Sequence, residues 1–132
     1  MIVLNKDTEY ALLMIGLLAD HDKFLSITEI VQKTGMPKRY LARIATELAG
    51  CGLLDSKEGV NGGFKLKSDL SKISLYDVLS IFDKDLDVVN CESHTFKCKF
   101  RELCRHKWFF MFKFSSRLKR YLQSVSLDEV IR

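Results

Sequence analysis

Three cysteines lie close together in the C-terminal half of this 132-residue chain. Cys91 and Cys98 are separated by six residues, Cys98 and Cys104 by five, and His106 follows two positions later. Thiolates gathered in one irregular segment are typical ligands of iron–sulfur clusters, zinc and copper(I). The spacing lacks the short Cys-x2-Cys turn of structural zinc sites, which favours a cluster, while zinc and uncomplexed redox thiols stay open as alternatives.

A fourth cysteine, Cys51, stands apart beside Gly52, and we expect it to be a small buried apolar residue rather than a ligand. The N-terminus lacks the basic region of a signal peptide, and no apolar run approaches the roughly 18 residues of a membrane span. We therefore expect a cytoplasmic protein without a membrane partner, in which the cysteines serve metal or redox chemistry rather than a disulfide framework.

The composition predicts the kind of fold that holds these cysteines. With 47% hydrophobic and 29% charged residues, one proline and seven glycines, the chain fits a single, mainly α-helical unit rather than a sandwich or barrel. Basic residues are balanced by acids up to residue 82, but between residues 97 and 120 they outnumber them nine to one. Such a basic stretch fits nucleic-acid binding, although it is more often an ordinary solvated surface.

Three helices are predicted in the first fifty residues. The first, over residues 9–19, is apolar nearly all round, so it must be buried in the core or against a partner chain. The second begins at Ser26, whose hydroxyl forms a capping box with Glu29. The third covers residues 37–50, with Pro37 as its first residue.

Two short strands follow, over residues 53–57 and 64–67, and the glycine-rich stretch between them predicts a hairpin. This is the element order of a winged helix-turn-helix, whose third helix enters the DNA major groove while the hairpin, or wing, reaches the neighbouring backbone. The same elements also serve protein contacts, so that alternative stays open. The residues predicted to contact DNA lie at the start of the second helix, on the third helix and in the wing: Ser26, Thr28, Lys38, Arg39, Tyr40, Arg43, Lys57, Asn61, Gly62, Gly63 and Lys65.

The second half is predicted to contain a short helix, a loop and a long helix. Ser74 opens the short helix, residues 83–105 form a cysteine-bearing loop, and a helix over residues 101–124 precedes a short helix capped by Ser126. The long helix carries more aromatic surface than an isolated helix exposes, so we expect it to pair with a second copy of the chain. The predicted dimer interface consists of Leu103, Trp108, Phe110, Phe114, Leu118 and Tyr121.

Several stretches together point to a known family. They are Glu9-Tyr10-Ala11-Leu12, Met36-Pro37-Lys38-Arg39-Tyr40-Leu41, Gly52-Leu53-Leu54-Asp55-Ser56, Gly59-x-x-Gly62-Gly63-Phe64 and Ile73-x-Leu75-x-Asp77-Val78. In these motifs the chain resembles, nearly end to end, the winged-helix iron–sulfur and redox repressors of bacteria that include IscR and NsrR. The resemblance implies a homodimeric transcription factor that binds double-stranded operator DNA and holds a [2Fe–2S] or [4Fe–4S] cluster near its dimer interface.

The resemblance also implies which residues bind the cluster. Cys91, Cys98 and Cys104 fall where members of this family place their cluster ligands. Glu9 matches the position from which some members offer a carboxylate to the partner subunit's cluster, and His106 lies one residue short of the histidine position of another branch. Glu9 is therefore the preferred fourth ligand, and His106 is the alternative.

The predicted function is a transcriptional switch. Cluster assembly, loss or nitrosylation is expected to reorder the loop between the DNA-binding domain of residues 1–82 and the dimerisation segment of residues 101–132, in response to nitric oxide, oxidative stress or iron–sulfur status. The alternatives are a cluster-free family member that uses redox thiols, a zinc ion or a partner protein, and a small thiol or metal redox protein. No enzymatic activity is expected, because the sequence lacks a Cys-x-x-Cys motif, a glycine-rich phosphate loop and a Ser/His/Asp set in a recognisable scaffold.

Overall fold

The structure, a computed structural model, describes residues 4–83, 86, 89 and 97–131. Cys91 and ten further residues of the predicted loop over residues 83–105 lie outside the described residues. The elements are α1 (Lys6–Ala19), α2 (Ile27–Thr34), α3 (Lys38–Gly50), β1 (Leu54–Lys57), β2 (Gly63–Leu66), a 3-10 turn (Leu70–Lys72), α4 (Leu75–Phe82), a π-helical segment (Phe109–Phe114), α5 (Ser115–Ser124) and α6 (Leu127–Ile131). A mainly helical fold with a small β-hairpin is therefore confirmed.

Polar side chains fix where the helices begin. The Asn5 side chain accepts the backbone N–H of Thr8, so α1 begins three residues before the predicted start at residue 9. Ser26 and Glu29 form the predicted capping box of α2, which is confirmed. Pro37 has an extended backbone and is the N-cap of α3, one position earlier than its predicted place inside the helix. Asn5 and Ser26 each accept a backbone N–H that has no partner within the helix, whereas Pro37 makes no side-chain cap hydrogen bond.

The core lies between α1, α3 and the segments around the wing. One face of α1 is buried through Ala11, Met14, Ile15 and Leu18, whereas Leu13 remains 58% exposed, so this helix is not buried all round. The face of α3 that meets this core contains Leu41, Ile44, Ala45 and Leu48, which agrees with the predicted apolar spacing. The opposite side of α3 is left on the surface.

The wing is attached to the helix-turn-helix by its second strand. β1 and β2 pair antiparallel with Leu54 opposite Leu66, and Leu25 exchanges hydrogen bonds of 3.0 and 2.8 Å with Phe64. Gly63 lies beside this contact with φ of +136°, and a Cβ atom there would stand 2.0 Å from the Leu25 carbonyl oxygen. Glycine is thus required at this position for the wing to close onto the helices.

The C-terminal residues return to the core of the DNA-binding half. Leu127 is fully buried there, its N–H donates to the Ile73 carbonyl oxygen at 2.8 Å, and the Leu75 N–H donates to the Val125 carbonyl oxygen at 2.8 Å. A short bridge pairs Ser74 with Ser126. Within the predicted dimerisation segment of residues 101–132, α6 therefore packs into the domain predicted to end at residue 82.

The predicted long helix over residues 101–124 was placed too early. Residues 100–103 form a turn, in which the Phe100 carbonyl oxygen accepts the N–H groups of Leu103 and Cys104 at 3.0 Å each. Helical structure begins at residue 107 and passes through the π-helical segment before α5.

Among the described residues, no helix is both long and apolar enough to cross a membrane.

The burial of Leu127 predicts a large effect on stability. Leu127→Ala is expected to lower the free energy of unfolding by about 2–5 kcal/mol, because it removes a fully buried side chain and leaves a cavity. Val130→Ala, in the same helix but 42% exposed, is the control and is expected to change stability by less than about 1 kcal/mol. Urea denaturation of both variants measures the difference, and equal stabilities would show that α6 does not belong to the core.

Candidate nucleic-acid interface and cysteine segment

The start of α3 presents two cations to solvent. Lys38 and Arg39 occupy its first turn, both are exposed, and neither forms an ion pair with any other residue that the structure describes. At the start of α2, Thr28 is also exposed, while the half-buried Ser26 hydroxyl accepts the Glu29 N–H at 3.1 Å as a cap. Lys38, Arg39 and Thr28 are therefore available to a ligand such as DNA.

Tyr40 and Arg43, also predicted to contact DNA, are bonded to α1. Arg43 donates to both carboxylate oxygens of Asp7, at 3.0 and 3.2 Å, and Tyr40 donates its hydroxyl hydrogen to the same carboxylate. The hydrogen bond from Arg43 holds the pKa of Asp7 below its usual value, and the hydrogen bond to Asp7 raises the pKa of Tyr40. Arg43 also lies 3.3 Å from Glu47. These bonds fix α3 relative to α1.

The wing residues divide into exposed side chains and structural glycines. Lys57 and Asn61 are exposed, Lys65 is half-buried, and Lys57 Nζ lies 5.9 Å from the centre of the Phe24 ring. Gly62 is buried, and a Cβ atom there would stand 2.2 Å from the Lys57 carbonyl oxygen. Gly62 and Gly63 thus shape the wing, while Lys57 and Asn61 form its accessible polar surface.

The described cysteines are all free thiols. Cys98 and Cys104 are half-buried on either side of the turn at residues 100–103. Cys51 is exposed, so the prediction of a buried apolar residue was wrong: it is the C-cap of α3, beyond the buried face of the helix, and borders an open cleft that also touches Asp7, Ile81 and Phe82. A cap position turns its side chain away from the core that the helix covers.

The predicted cluster ligands are not gathered within the described part of one protomer. There, no group of three or more His, Cys, Asp or Glu side chains is placed to hold a metal ion. Glu9 and His106 are both exposed, and the His106 ring lies 6.2 Å from the Phe110 ring. Sulfur donors fit an iron–sulfur cluster chemically, but the complete set requires Cys91, which lies outside the described residues, and a fourth ligand.

An aromatic face lies next to the cysteine segment, by which we mean residues 83–105 with Cys91, Cys98 and Cys104. We define it by Trp108, Phe109 and Phe112, which are 68%, 43% and 53% exposed, with Trp108 and Phe112 stacked at 5.0 Å. Phe109 and Phe112 were not among the residues predicted for the dimer interface. Of those that were, Leu103, Phe114 and Tyr121 are exposed like Trp108, while Phe110 and Leu118 are half-buried. The dimer interface stays a prediction, and these residues are placed where a second chain can reach them.

Sequence reasoning missed two residues that organise this region. Leu122 is the buried residue of α5, the helix that packs on α4, where Lys119 Nζ lies 5.3 Å from the Tyr76 ring. No role was predicted for Asp7, yet it is the carboxylate that Arg43 and Tyr40 bind. The sequence contains no local signal for that contact, because the partners are more than thirty positions apart.

Comparison with known proteins identifies relatives of the whole described fold. Residues 4–132 match the Rrf2 family, described as an iron-dependent transcriptional regulator. The chain is 28% identical to the HTH-type transcriptional regulator NsrR of Halalkalibacterium halodurans, over 79% of this chain and 73% of the relative. It is 26% identical to the HTH-type transcriptional regulator IscR of Xenorhabdus nematophila, over 80% of this chain but only 63% of that relative.

A solved structure shows the same fold. CymR of B. subtilis, described as the global cysteine regulator, superposes with a TM-score of 0.70 at 22% identity. The superposition covers 99% of this chain and 97% of CymR. The winged-helix fold is therefore common to both chains.

Proposed function

Because this chain belongs to the Rrf2 family of transcriptional regulators, we propose that it binds operator DNA with an affinity that an iron–sulfur cluster controls. The observation that carries the proposal is the exposed cationic first turn of α3, in a winged-helix domain whose chain continues into the cysteine segment. The similarity to NsrR and IscR supports control by a cluster. Nitric oxide, oxidative stress or iron–sulfur status is the proposed signal, and repression the proposed output.

The DNA-binding half acts through α3 and the wing. With α3 in the major groove, Lys38 and Arg39 reach guanine O6 and N7 or nearby phosphates. Thr28 and Ser26, at the start of α2, lie where phosphates bind a helix N-terminus, and Lys57 and Lys65 serve the backbone beside the wing. Tyr40 and Arg43 contribute by holding α3 on Asp7, as do Gly62 and Gly63 by shaping the wing around Asn61.

The cysteine segment is the proposed sensor. Cys91, Cys98 and Cys104 are the proposed thiolate ligands, with Glu9 of the partner subunit or His106 as the fourth. Cys98 and Cys104 are half-buried and are not joined in a disulfide, which leaves both thiols able to bind a soft metal. A bound cluster supplies a redox-active iron centre that reacts with small oxidants and nitric oxide.

Homodimerisation is proposed through the aromatic face. Trp108 and Phe112 stack on each other, and both are exposed together with Phe109 next to the cysteine segment; globular proteins rarely leave so much aromatic surface uncovered. A second copy covers it with the same residues, because a two-fold interface uses one patch twice. Two α3 helices on one rigid dimer can then bind two half-sites of an operator.

The experiment that tests cluster control begins with protein purified without oxygen. Its ultraviolet–visible spectrum and its iron and sulfide content are measured together with the affinity for operator DNA, before and after addition of nitric oxide. A brown, iron-containing protein whose DNA affinity changes on nitric oxide treatment supports the proposal. Protein that stays colourless and iron-free after cluster reconstitution contradicts it.

A cluster-free regulator is the second candidate function. The match to CymR, the global cysteine regulator, over almost all of both chains favours it, as do the two free thiols at Cys98 and Cys104. In that case thiol oxidation, a zinc ion or a partner protein changes the DNA affinity. Colourless protein whose DNA affinity still responds to an oxidant identifies this function, and zinc analysis separates the metal from the bare thiols.

The cations of α3 give a direct prediction for DNA binding. Replacing Lys38 and Arg39 together with alanine is expected to weaken operator binding by at least tenfold and to reduce the slope of log K against log salt by about 1 to 2, because up to two phosphate or base contacts are lost. Lys72→Ala, an exposed lysine in the 3-10 turn, is the matched control and is expected to leave both unchanged. If the Lys72→Ala variant lost as much operator affinity as the double variant, the first turn of α3 would have no special role in DNA binding.

A further inference from the structure

The first turn of α1 contacts the end of α4, where the cysteine segment begins. Asn5 donates its side-chain N–H to the carbonyl oxygen of Phe82, the last residue of α4, at 3.2 Å. The other end of the same amide accepts the N–H and the hydroxyl hydrogen of Thr8, at 2.8 and 2.9 Å. One side chain thus caps α1 and joins it to the residue before Asp83, the first residue of the predicted sensor loop.

The same turn contacts the recognition helix. Asp7 accepts two hydrogen bonds from the Arg43 guanidinium and one from Tyr40, so its carboxylate is fully engaged by α3. The guanidinium stacks 4.8 Å from the centre of the Tyr40 ring. On the other side, Tyr10 meets Tyr40 edge to face at 5.0 Å, and Lys6 Nζ lies 5.6 and 5.9 Å from these two rings.

These contacts join the end of α4, where the cysteine segment begins, to α3 through the first turn of α1. The Phe82 carbonyl oxygen is bonded to Asn5, the backbone of residues 5–7 connects Asn5 to Asp7, and Asp7 is bonded to Tyr40 and Arg43. We infer that residues 5–8 are a relay that transmits displacement of the cysteine segment to the recognition helix, with Asn5 and Asp7 as positioning residues. The inference rests on the proposed function, because it assigns the route by which the state of the sensor reaches DNA.

The positions of the buried residues along α1 explain why residues 5–8 can move. The buried residues that hold α1 against the rest of the domain are concentrated from Ala11 to Leu18, in the later turns of the helix. Apart from the buried Thr8, the first turn is held chiefly by side-chain hydrogen bonds at the surface, and exposed ion pairs contribute little stability. A shift of Phe82 can therefore pull the first turn of α1 without breaking the core, and Asp7 carries the shift to α3.

Two substitutions cut the relay at different points, and a third is the control. Asn5→Asp keeps an oxygen that caps Thr8 but loses the N–H that binds Phe82. Asp7→Ala removes the acceptor for Tyr40 and Arg43. Glu47→Ala removes the other carboxylate beside Arg43, at 3.3 Å, which lies within α3 and makes no link to α1.

Hydrogen exchange in the metal-free protein tests the relay independently of any cluster. Asn5→Asp and Asp7→Ala are expected to speed exchange at the amides of residues 41–44 by about threefold or more, whereas Glu47→Ala changes it by less than about twofold. Among the residues that the structure describes, the side-chain hydrogen bonds of Asn5 join it to α1 and α4, so its effect on α3 is expected to pass through the relay. Unchanged exchange in α3 of Asn5→Asp would overturn the inference.

Operator affinity provides the second measurement. The ratio of affinities between cluster-loaded and metal-free protein is expected to fall to below about one third of the parent ratio in Asn5→Asp and Asp7→Ala, and to remain within about twofold in Glu47→Ala. If both relay variants keep the affinity ratio of the parent chain, the inference is overturned and the proposed function is not affected. If the parent chain itself binds operator DNA equally well with and without the cluster, the proposed function is contradicted. The exchange measurement then tests the relay alone.

Discussion

A variant in which Cys91, Cys98 and Cys104 are all alanine is expected to be colourless after cluster reconstitution and to bind operator DNA equally well in the presence and absence of iron and sulfide. Iron–sulfur clusters are held by thiolates, so removing all three proposed sulfur ligands leaves at most one carboxylate or imidazole, which does not hold a cluster. The spectrum, the iron content and a DNA-binding titration check this result. Loss of nitric oxide dependence is expected to be complete.

Cys51→Ala is the matched control for the triple variant. Cys51 is also a free and exposed thiol, yet it lies at the end of α3, outside the cysteine segment. This variant is expected to retain the parent spectrum and the parent response. A triple variant that responds to nitric oxide like the parent chain would show that the signal does not act through Cys91, Cys98 and Cys104, and the sensor proposal would be abandoned.

Replacing Trp108 and Phe112 with serine is expected to weaken self-association by at least 100-fold. Each aromatic side chain buries roughly 150–250 Å² when it is covered, and at about 25 cal/mol per Å² the pair contributes several kcal/mol for each copy in the interface. The two rings are stacked at 5.0 Å and largely exposed in the single chain, so their loss leaves the fold intact. Sedimentation at a series of protein concentrations measures the change.

Operator binding by the Trp108 and Phe112 variant is expected to fall together with dimer formation, because a monomer offers one α3 helix to a two-part site. Val60→Ser is the control for sedimentation alone, because Val60 is fully exposed at the tip of the wing and far along the chain from the aromatic face. It is expected to sediment like the parent chain at each concentration. If the double variant sediments like the parent chain, the aromatic face is not the dimer interface.

Features with a local cause in the sequence were predictable. The capping box needs only Ser26 and Glu29, three positions apart, and the apolar face of α3 repeats at Leu41, Ile44 and Leu48. The hairpin follows from glycines, because positive φ angles such as that of Gly63 are costly for other residues. Each signal lies within a few residues of the element that it determines.

Features that depend on distant parts of the chain were not predictable in the same way. The bonds of Asp7 to Tyr40 and Arg43 arise only when α1 and α3 pack together, and contact of these two α3 residues with DNA stays a prediction. Leu122 was missed for another reason. In the π-helical segment Phe109–Phe114 the turns close one residue later than in an α-helix, so a single helical period cannot place Leu122 on the buried side.

The return of α6 to the core limits how the helix before it, over residues 107–124, can move. The Ser74 and Ser126 bridge and the buried Leu127 anchor the helix over residues 107–124 at its C-terminal end. Eighteen residues at about 1.5 Å each make this helix a lever of roughly 25 Å, with its pivot at the bridge and the turn at residues 100–103 beyond its far end. A swing of about 5° about the pivot would move that far end, and the turn between Cys98 and Cys104 beyond it, by roughly 2 Å.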